Sequence, residues 1–299
     1  MKRSKVLGAV WILLALVMCV ILLASLIGGK NFMFGLFKSK GSDVALKNVP
    51  ASESTFFAPS EISSIDVDVS SHSVFLERKD VKNIAVILDG NEKRWPSVYI
   101  TNGVLKIVDE RNFSLFDGFS THKIIIELPN SFEPSELDLK NSSGSLSMVN
   151  IKTPSIDCSC SSGSVSLENC ESNNVDLKCS SGSIKISGST IKTLDCKSSS
   201  GSIKLEGSFD SIDANVTSGS IKAELKSPLK ERSSLKSVSG SLHLSVPDES
   251  SLGIKYSTTS GTYKNSKTGV SGGKSGTDRI GNGDIELELK ATSGSIRVE

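Results

Sequence analysis

A short phrase built on glycine returns along this chain at nearly constant spacing, which limits the fold to architectures that stack equal units. It reads Ser-Ser-Gly-Ser-Leu at Gly144, Ser-Ser-Gly-Ser-Val at Gly163, Ser-Ser-Gly-Ser-Ile at Gly182 and Gly201, and Thr-Ser-Gly-Ser-Ile at Gly219. The intervals are 19, 19, 19 and 18 residues; looser copies stand at Gly240 and Gly261, and Thr-Ser-Gly-Ser-Ile returns at Gly294. A fixed period of this length marks a repeat protein in which each unit packs on its neighbours.

Alignment on the glycines assigns a role to each column. Seven residues before the glycine stand Leu137, Ile156, Val175, Leu194 and Ile212, and five before it Leu139, Cys158, Leu177, Cys196 and Ala214. Two and four residues after it come Leu146/Met148, Val165/Leu167, Ile184/Ile186, Ile203/Leu205 and Ile221/Ala223, with polar residues between. This alternation is the period of a half-buried β-strand. Each unit is therefore two short strands joined by a Ser/Gly corner, in which Gly144, Gly163, Gly182, Gly201, Gly219 and Gly294 are structural. Antiparallel hairpins and parallel coils both fit the pattern. Equal spacing favours coils, because like residues stack in columns only when coils are equal, whereas hairpins tolerate any loop length. The expected fold is an all-β, single-stranded parallel β-solenoid (β-helix) with ~19-residue coils, in which eight coils at ~4.8 Å per step make a stack roughly 40 Å long.

An N-terminal transmembrane helix is expected to precede the solenoid. Val6 to Ile27 is 22 residues without a charge, which at ~1.5 Å per residue spans ~33 Å, enough to cross a bilayer. No Ala-x-Ala-like site follows, so a retained signal-anchor is expected. Lys2, Arg3 and Lys5 on one side face Lys30, Lys38 and Lys40 on the other, and the five-residue tail assigned to the cytoplasm puts the C-terminal body outside. The expected organisation is a tail and transmembrane helix over 1–29, a juxtamembrane linker over 30–60, an irregular β capping region over 61–130 and solenoid repeats over 131–299. Within the cap, Asn102-Gly103 between two apolar runs predicts a hairpin.

Charge and chemistry narrow the function classes. A formal net charge of +1 lacks the basic excess of a nucleic-acid binder. The histidines, His72, His122 and His243, are scattered, and no nucleophile elbow, phosphate loop, metal signature or cofactor motif occurs. Ser-Gly-Ser recurs too often to be a catalytic serine. Five cysteines, Cys158, Cys160, Cys170, Cys179 and Cys196, lie in the repeats; four stand in inward columns and read as small core residues, with Cys160 and Cys179 close enough for a disulfide to be conceivable. Asp138, Asp157, Asp176, Asp195 and Asp213 form a column of acids, read as hydrogen-bonding the corner, with a calcium ladder as the alternative and Lys185, Lys204 and Lys222 as partial counter-charges. The candidate ligand-binding residues are Phe113, Phe116 and Phe119 in one aromatic loop, where capping the stack is the competing role, and Lys267, Lys274 and Arg279 in the insertion from Tyr263 to Gly283, where a solvated connection competes.

The Ser-Gly-Ser-Ile coils, the segment Ile-Glu-Leu-Glu-Leu-Lys-Ala-Thr-Ser-Gly-Ser-Ile-Arg-Val and the upstream Ile-Ile-Ile-Glu-Leu-Pro resemble a bacterial family, domain of unknown function 4097. The resemblance covers roughly residues 62 to 299 and implies an adhesin-like β-solenoid, often membrane-anchored, with no family active site. Where this chain has Ser after the glycine, the family more often has Asp or Asn. The expected function is a non-enzymatic, extracytoplasmic surface, anchored in the cell membrane, that binds envelope proteins or a surface polymer. A self-assembling scaffold on the cytoplasmic face and a carbohydrate-active enzyme on a β-helix are the rivals.

Overall fold

The computed structural model describes residues 54–90, 95–109 and 122–299. Apart from one 3-10 turn at Pro59–Glu61, every regular element among them is a strand, and all the strands join one hydrogen-bonded sheet. The apolar segment 6–27 lies outside the described residues, and among the described residues no helix is long and apolar enough to cross a membrane.

The alternating columns fold as parallel coils. Lys152–Ser162 pairs in parallel with Leu137–Ser143 on one side and Glu171–Ser181 on the other. Val165–Glu168 does the same between Leu146–Val149 and the start of Ile184–Ser200. Like residues stand directly opposite, Asp157 against Asp138 and Asp176, Cys160 against Cys179. The inward columns are sealed: Leu139, Cys158, Leu177 and Cys196 have no exposed surface, nor do Leu146, Val165, Ile184 and Ile203. Burying an aliphatic side chain contributes ~1.5–3 kcal/mol, and here each does so against the same column of the next coil.

The glycine column is fixed by the distance between coils. A side chain at Gly163 would overlap the carbonyl of Gly144, one at Gly182 that of Gly163, and one at Gly201 that of Gly182. The next corner uses a different device. Asn150, Asn169 and Gly188, each six residues past a corner glycine, adopt left-handed backbone with φ of 57°, 52° and 61°, which Asn and Gly tolerate best.

The expected irregular cap over 61–130 holds two regular coils. Ser64–Val69 and His72–Lys79 pair in parallel with Leu137–Ser143 and Leu146–Val149. Their other edges pair in parallel with Val104–Val108 and His122–Pro129. The chain thus builds one coil, builds a second outside it, and returns to stack the third on the free side of the first. The far end mirrors this: Ile285–Ser293 inserts between Ser233–Ser239 and Leu252–Ser260, and Ile296–Val298 between Leu242–Ser245 and Tyr263–Asn265. The segment expected as the last coil is therefore second from the end in space.

Both outermost coils are closed by antiparallel strands. Ser97–Thr101 returns on Val104–Val108 through a turn at Asn102 and Gly103, both at positive φ, as the Asn-Gly pair predicts. Ile84–Asp89 covers His122–Pro129, and Ser54–Phe57 covers Ile84–Asp89. At the other end Ser275–Ile280 covers Leu252–Ser260, and Ser271–Gly272 pairs with Tyr263–Asn265. The insertion after Tyr263 is thus largely strand, tied down where Asp278 Oδ2 accepts bonds from Tyr263 Oη at 2.7 Å and Asn265 Nδ2 at 2.7 Å. Reversing strand direction blunts the growing edge of a parallel stack.

The corner spacing makes a direct prediction. Gly182→Ala, which must push the Gly163 carbonyl away, should lower stability in urea denaturation by about 1–3 kcal/mol, as overpacking does. Gly273→Ala, with no neighbouring atom in reach of an added methyl group, should leave the midpoint within error.

Candidate functional site

Two outward faces meet at the glycine corner, and both are built from repeated side chains. Between them, the residue three before the glycine donates to the corner carbonyl of the neighbouring coil wherever it carries a thiol or hydroxyl, which excludes Val216 and Ala291. Cys160 Sγ reaches Gly144 O at 3.2 Å, Cys179 Sγ reaches Gly163 O at 3.0 Å, Ser198 Oγ reaches Gly182 O at 3.2 Å, and Ser237 Oγ reaches Gly219 O at 2.9 Å. Thiol and hydroxyl are interchangeable in this position because each supplies one short donor. All five described cysteines are buried and free, Cys170 included. Although Cys160 and Cys179 are register partners, no disulfide joins them. Burial pushes the Cys160 thiol up to about 11 and that of Cys158 well above its usual range. Both therefore stay protonated at neutral pH and are poor nucleophiles.

On the first strand the acid column lies on the open face of the sheet, six residues from the glycine, and does not bond the corner. Its counter-charges come from the same strand, two residues on, where side chains share a face. Lys140 Nζ meets Asp138 Oδ2 at 2.7 Å, Lys178 meets Asp176 at 2.8 Å and Lys197 meets Asp195 at 2.8 Å. Asn215 Nδ2 takes the same position against Asp213 at 2.6 Å. Lys185, Lys204 and Lys222, expected to offset the acids, project from the second strand. Asp157 is the gap in this ladder, because Ser159 replaces the lysine. Partial burial, with the carboxylate of Asp176 directly opposite, raises its pKa. Among the described residues no group of three or more His, Cys, Asp or Glu is placed to hold a metal ion.

A groove of about 580 Å³ runs over this face beside the corner, lined by Lys178, Lys197, Asn215, Lys236 and Lys290 in one column and by Ser180, Ser199, Thr217, Val238 and Thr292 in the next. Lys178 stands opposite Lys197 and Lys236 opposite Lys290, with Asn215 between the two pairs. Lys236 is held by Glu288 at 2.9 Å, so most of the charge along the groove is neutralised within the protein. Val238 is 49% exposed at its edge. The groove offers a shallow row of hydroxyl and ammonium groups, a surface for contact along its length.

The other buried titratable cluster joins the first two coils. His72 and His122 pack with ring centroids 5.5 Å apart, and His72 Nδ1 lies 3.4 Å from Asp109 Oδ1. Burial opposes ionisation of Asp109, but the adjacent His72 ring and the bond from the Ser70 amide outweigh it and hold the carboxyl below its usual range.

The candidate ligand residues named from sequence do not share one place. Phe113, Phe116 and Phe119 lie outside the described residues. Lys267 follows Tyr263–Asn265 and is ion-paired with Asp248. Lys274 sits in the turn before Ser275–Ile280, where its carbonyl accepts the Thr258 amide at 2.6 Å. Arg279 is exposed on that covering strand, its stem packed over Gly283. The groove lysines were missed because a lysine every nineteen residues reads as ordinary solvated charge until the coils are stacked.

A parallel β-solenoid with interleaved end coils and two repetitive polar faces is a repeat-surface protein. The chain belongs to the Toastrack DUF4097 family, whose model matches residues 62–299. Among solved structures it is similar to a "putative lipid binding protein" from Parabacteroides distasonis, at 20% identity, a TM-score of 0.50, and coverage of 83% of this chain and 96% of that one. It is also similar to a "putative adhesin" from Bacteroides fragilis, at 15% identity, a TM-score of 0.47, and coverage of 84% and 99%. The first likeness is one of fold. No curated protein matches the chain significantly.

Completing the ladder at its gap should be measurable. Because folding raises the pKa of Asp157, its contribution to stability is full at low pH and is lost as pH rises through that raised value. Ser159→Lys should return the Asp157 titration, followed by carboxyl NMR, toward the ordinary carboxylate range. It should also raise stability at pH 7 by ~0.5 kcal/mol, the scale of an exposed pair, with no gain at pH 2.

Proposed function

We propose that this chain is a non-enzymatic binding surface of the bacterial cell envelope. Residues 6–27 anchor it in the membrane, and its solenoid is held outside, where it contacts envelope proteins or a surface polymer in an adhesin-like role. The observation that carries this reading is repetition. Successive coils repeat a few exposed groups on both faces, acids with lysines on the first strand and cations on the second from Lys185 onward, so the exposed chemistry is spread along the stack. A catalytic centre needs a singular set of groups converging on one reacting bond; a surface that holds an extended or repetitive partner needs the opposite.

The sealed ends support presentation of the coils as a separate body. With both outermost coils covered by antiparallel strands, end-to-end assembly of the stack has no open parallel edge to use, which disfavours the scaffold reading.

Membrane sidedness is decided by a reporter fused after Glu299. An enzyme that matures only outside the cytoplasm should be active there. Activity instead from a reporter that works only in the cytoplasm would overturn the external placement.

A further inference from the structure

The second strand of each coil carries a charge pattern unlike that of the first. Three residues past the glycine, one outward position is held on successive coils by Lys185, Lys204, Lys222, His243, Arg297 and Lys264, in that spatial order. Each stands directly opposite the next: Lys185 against Lys204, Lys204 against Lys222, Lys222 against His243, His243 against Arg297, and Arg297 against Lys264. At ~4.8 Å per coil the row runs about 24 Å. The glycine phrase hides this order, because Lys264 precedes Arg297 in sequence and follows it in space.

The row carries more positive charge than its face neutralises. Acids share its face two residues further along the strand, and although Glu224 also feels Lys222 and Lys204, its ion pair, like that of Glu206, is made outside the row. Lys226, from outside the row, binds Glu224 at 2.5 Å and Glu206 at 3.5 Å, and Glu299 binds His243 at 2.7 Å. Among the described residues Lys185, Lys204, Lys222, Arg297 and Lys264 have no acidic partner, and all five are exposed. On the first strand, by contrast, a lysine column lies beside an acid column and the two pair. Like charges directly opposite on neighbouring strands destabilise a sheet, so a row in which five of six cations lack an ion pair is a cost to the folded protein that an anion laid along it removes.

A second column selects among anions. Two residues before the cations, on the same face, every coil exposes a hydroxyl, including Ser183, Ser202, Ser220 and Ser241. From this juxtaposition we propose that the second-strand face binds a linear acidic polysaccharide carrying about one carboxylate per sugar. The polymer lies along the stack with its carboxylates on the cation row and its hydroxyls on the serine column. One sugar of an extended polysaccharide advances by about the ~4.8 Å step from one coil to the next, so the polymer's charges and the row share a period. Phosphates along a single polynucleotide strand stand farther apart than one coil step, and such a strand meets only part of the row. The proposal rests on the reading of this protein as a binding surface, and it supplies the class of partner.

The test uses the full-length chain in detergent, with polygalacturonate as the probe, neutral dextran and single-stranded DNA as comparisons, and binding followed at several salt concentrations. Polygalacturonate should bind, more weakly as salt rises, and dextran should not. Lys204→Gln/Lys222→Gln should weaken polygalacturonate binding about tenfold and flatten its salt dependence. Lys82→Gln/Lys192→Gln, which removes the same charge away from the row, should change it less than twofold; unchanged thermal midpoints show that both variants fold. Equal loss in the two variants, no binding of polygalacturonate, or tighter binding of the DNA would each overturn the proposal. The reporter after Glu299 reads the external placement separately, so a polymer-binding protein on the wrong side of the membrane is distinguished from an external protein with no affinity for the polymer.

Discussion

The whole stack depends on how closely one coil lies over the next at the glycine corner. The backbone of each coil there occupies the space that a side chain of the following coil would need, and at most corners the shared carbonyl is then bonded by a cysteine, serine or threonine from that same coil. Corner, donor and inward columns are consequently one constraint. If the corners moved apart, the carbonyl would lose its donor and the apolar columns would lose contact, leaving buried polar groups unmatched. Register in a parallel stack is otherwise weakly defined, because neighbouring coils present nearly identical sequences. The corner is where a slip meets an immediate penalty.

The regular coils were legible in the sequence because a two-residue alternation and a nineteen-residue period are visible without knowing the partners. Gly144 to Gly219 carry both signals, and the structure has those coils where the columns put them. The two ends were not legible. His72 takes the corner position in the coil over 64–79, so the glycine phrase is absent from it, and nothing local to Ile65 or Val67 shows that Leu137 and Leu139 return to cover them. Likewise Ile285 to Val298 reads as the next coil in order, while in space it separates the coil before it from one over fifty residues back. Order along the chain and order in space part company wherever a coil is inserted later.

The same limit applies to charge. Asp138 and Lys140 are two residues apart, and their pairing follows from strand geometry alone. Whether a lysine is compensated by another coil depends on which coil lies beside it. Lys185, Lys204 and Lys222 were read against the wrong acids for this reason: a glycine corner puts them on a different face from the aspartates. Side chains close in sequence can be electrostatically remote across one tight bend.

The interleaved ends also decide where such a protein can change length. Each outermost coil has a parallel coil beneath it and a reversed strand above it, so a unit added at either end of the stack would have to break that cover. A unit duplicated between the corners at Gly163 and Gly201 would meet neighbours like those already present, since residues nineteen apart occupy equivalent places there. The number of rungs is thus an interior variable, and the reach of both faces can be tuned one coil at a time while the two ends stay as they are.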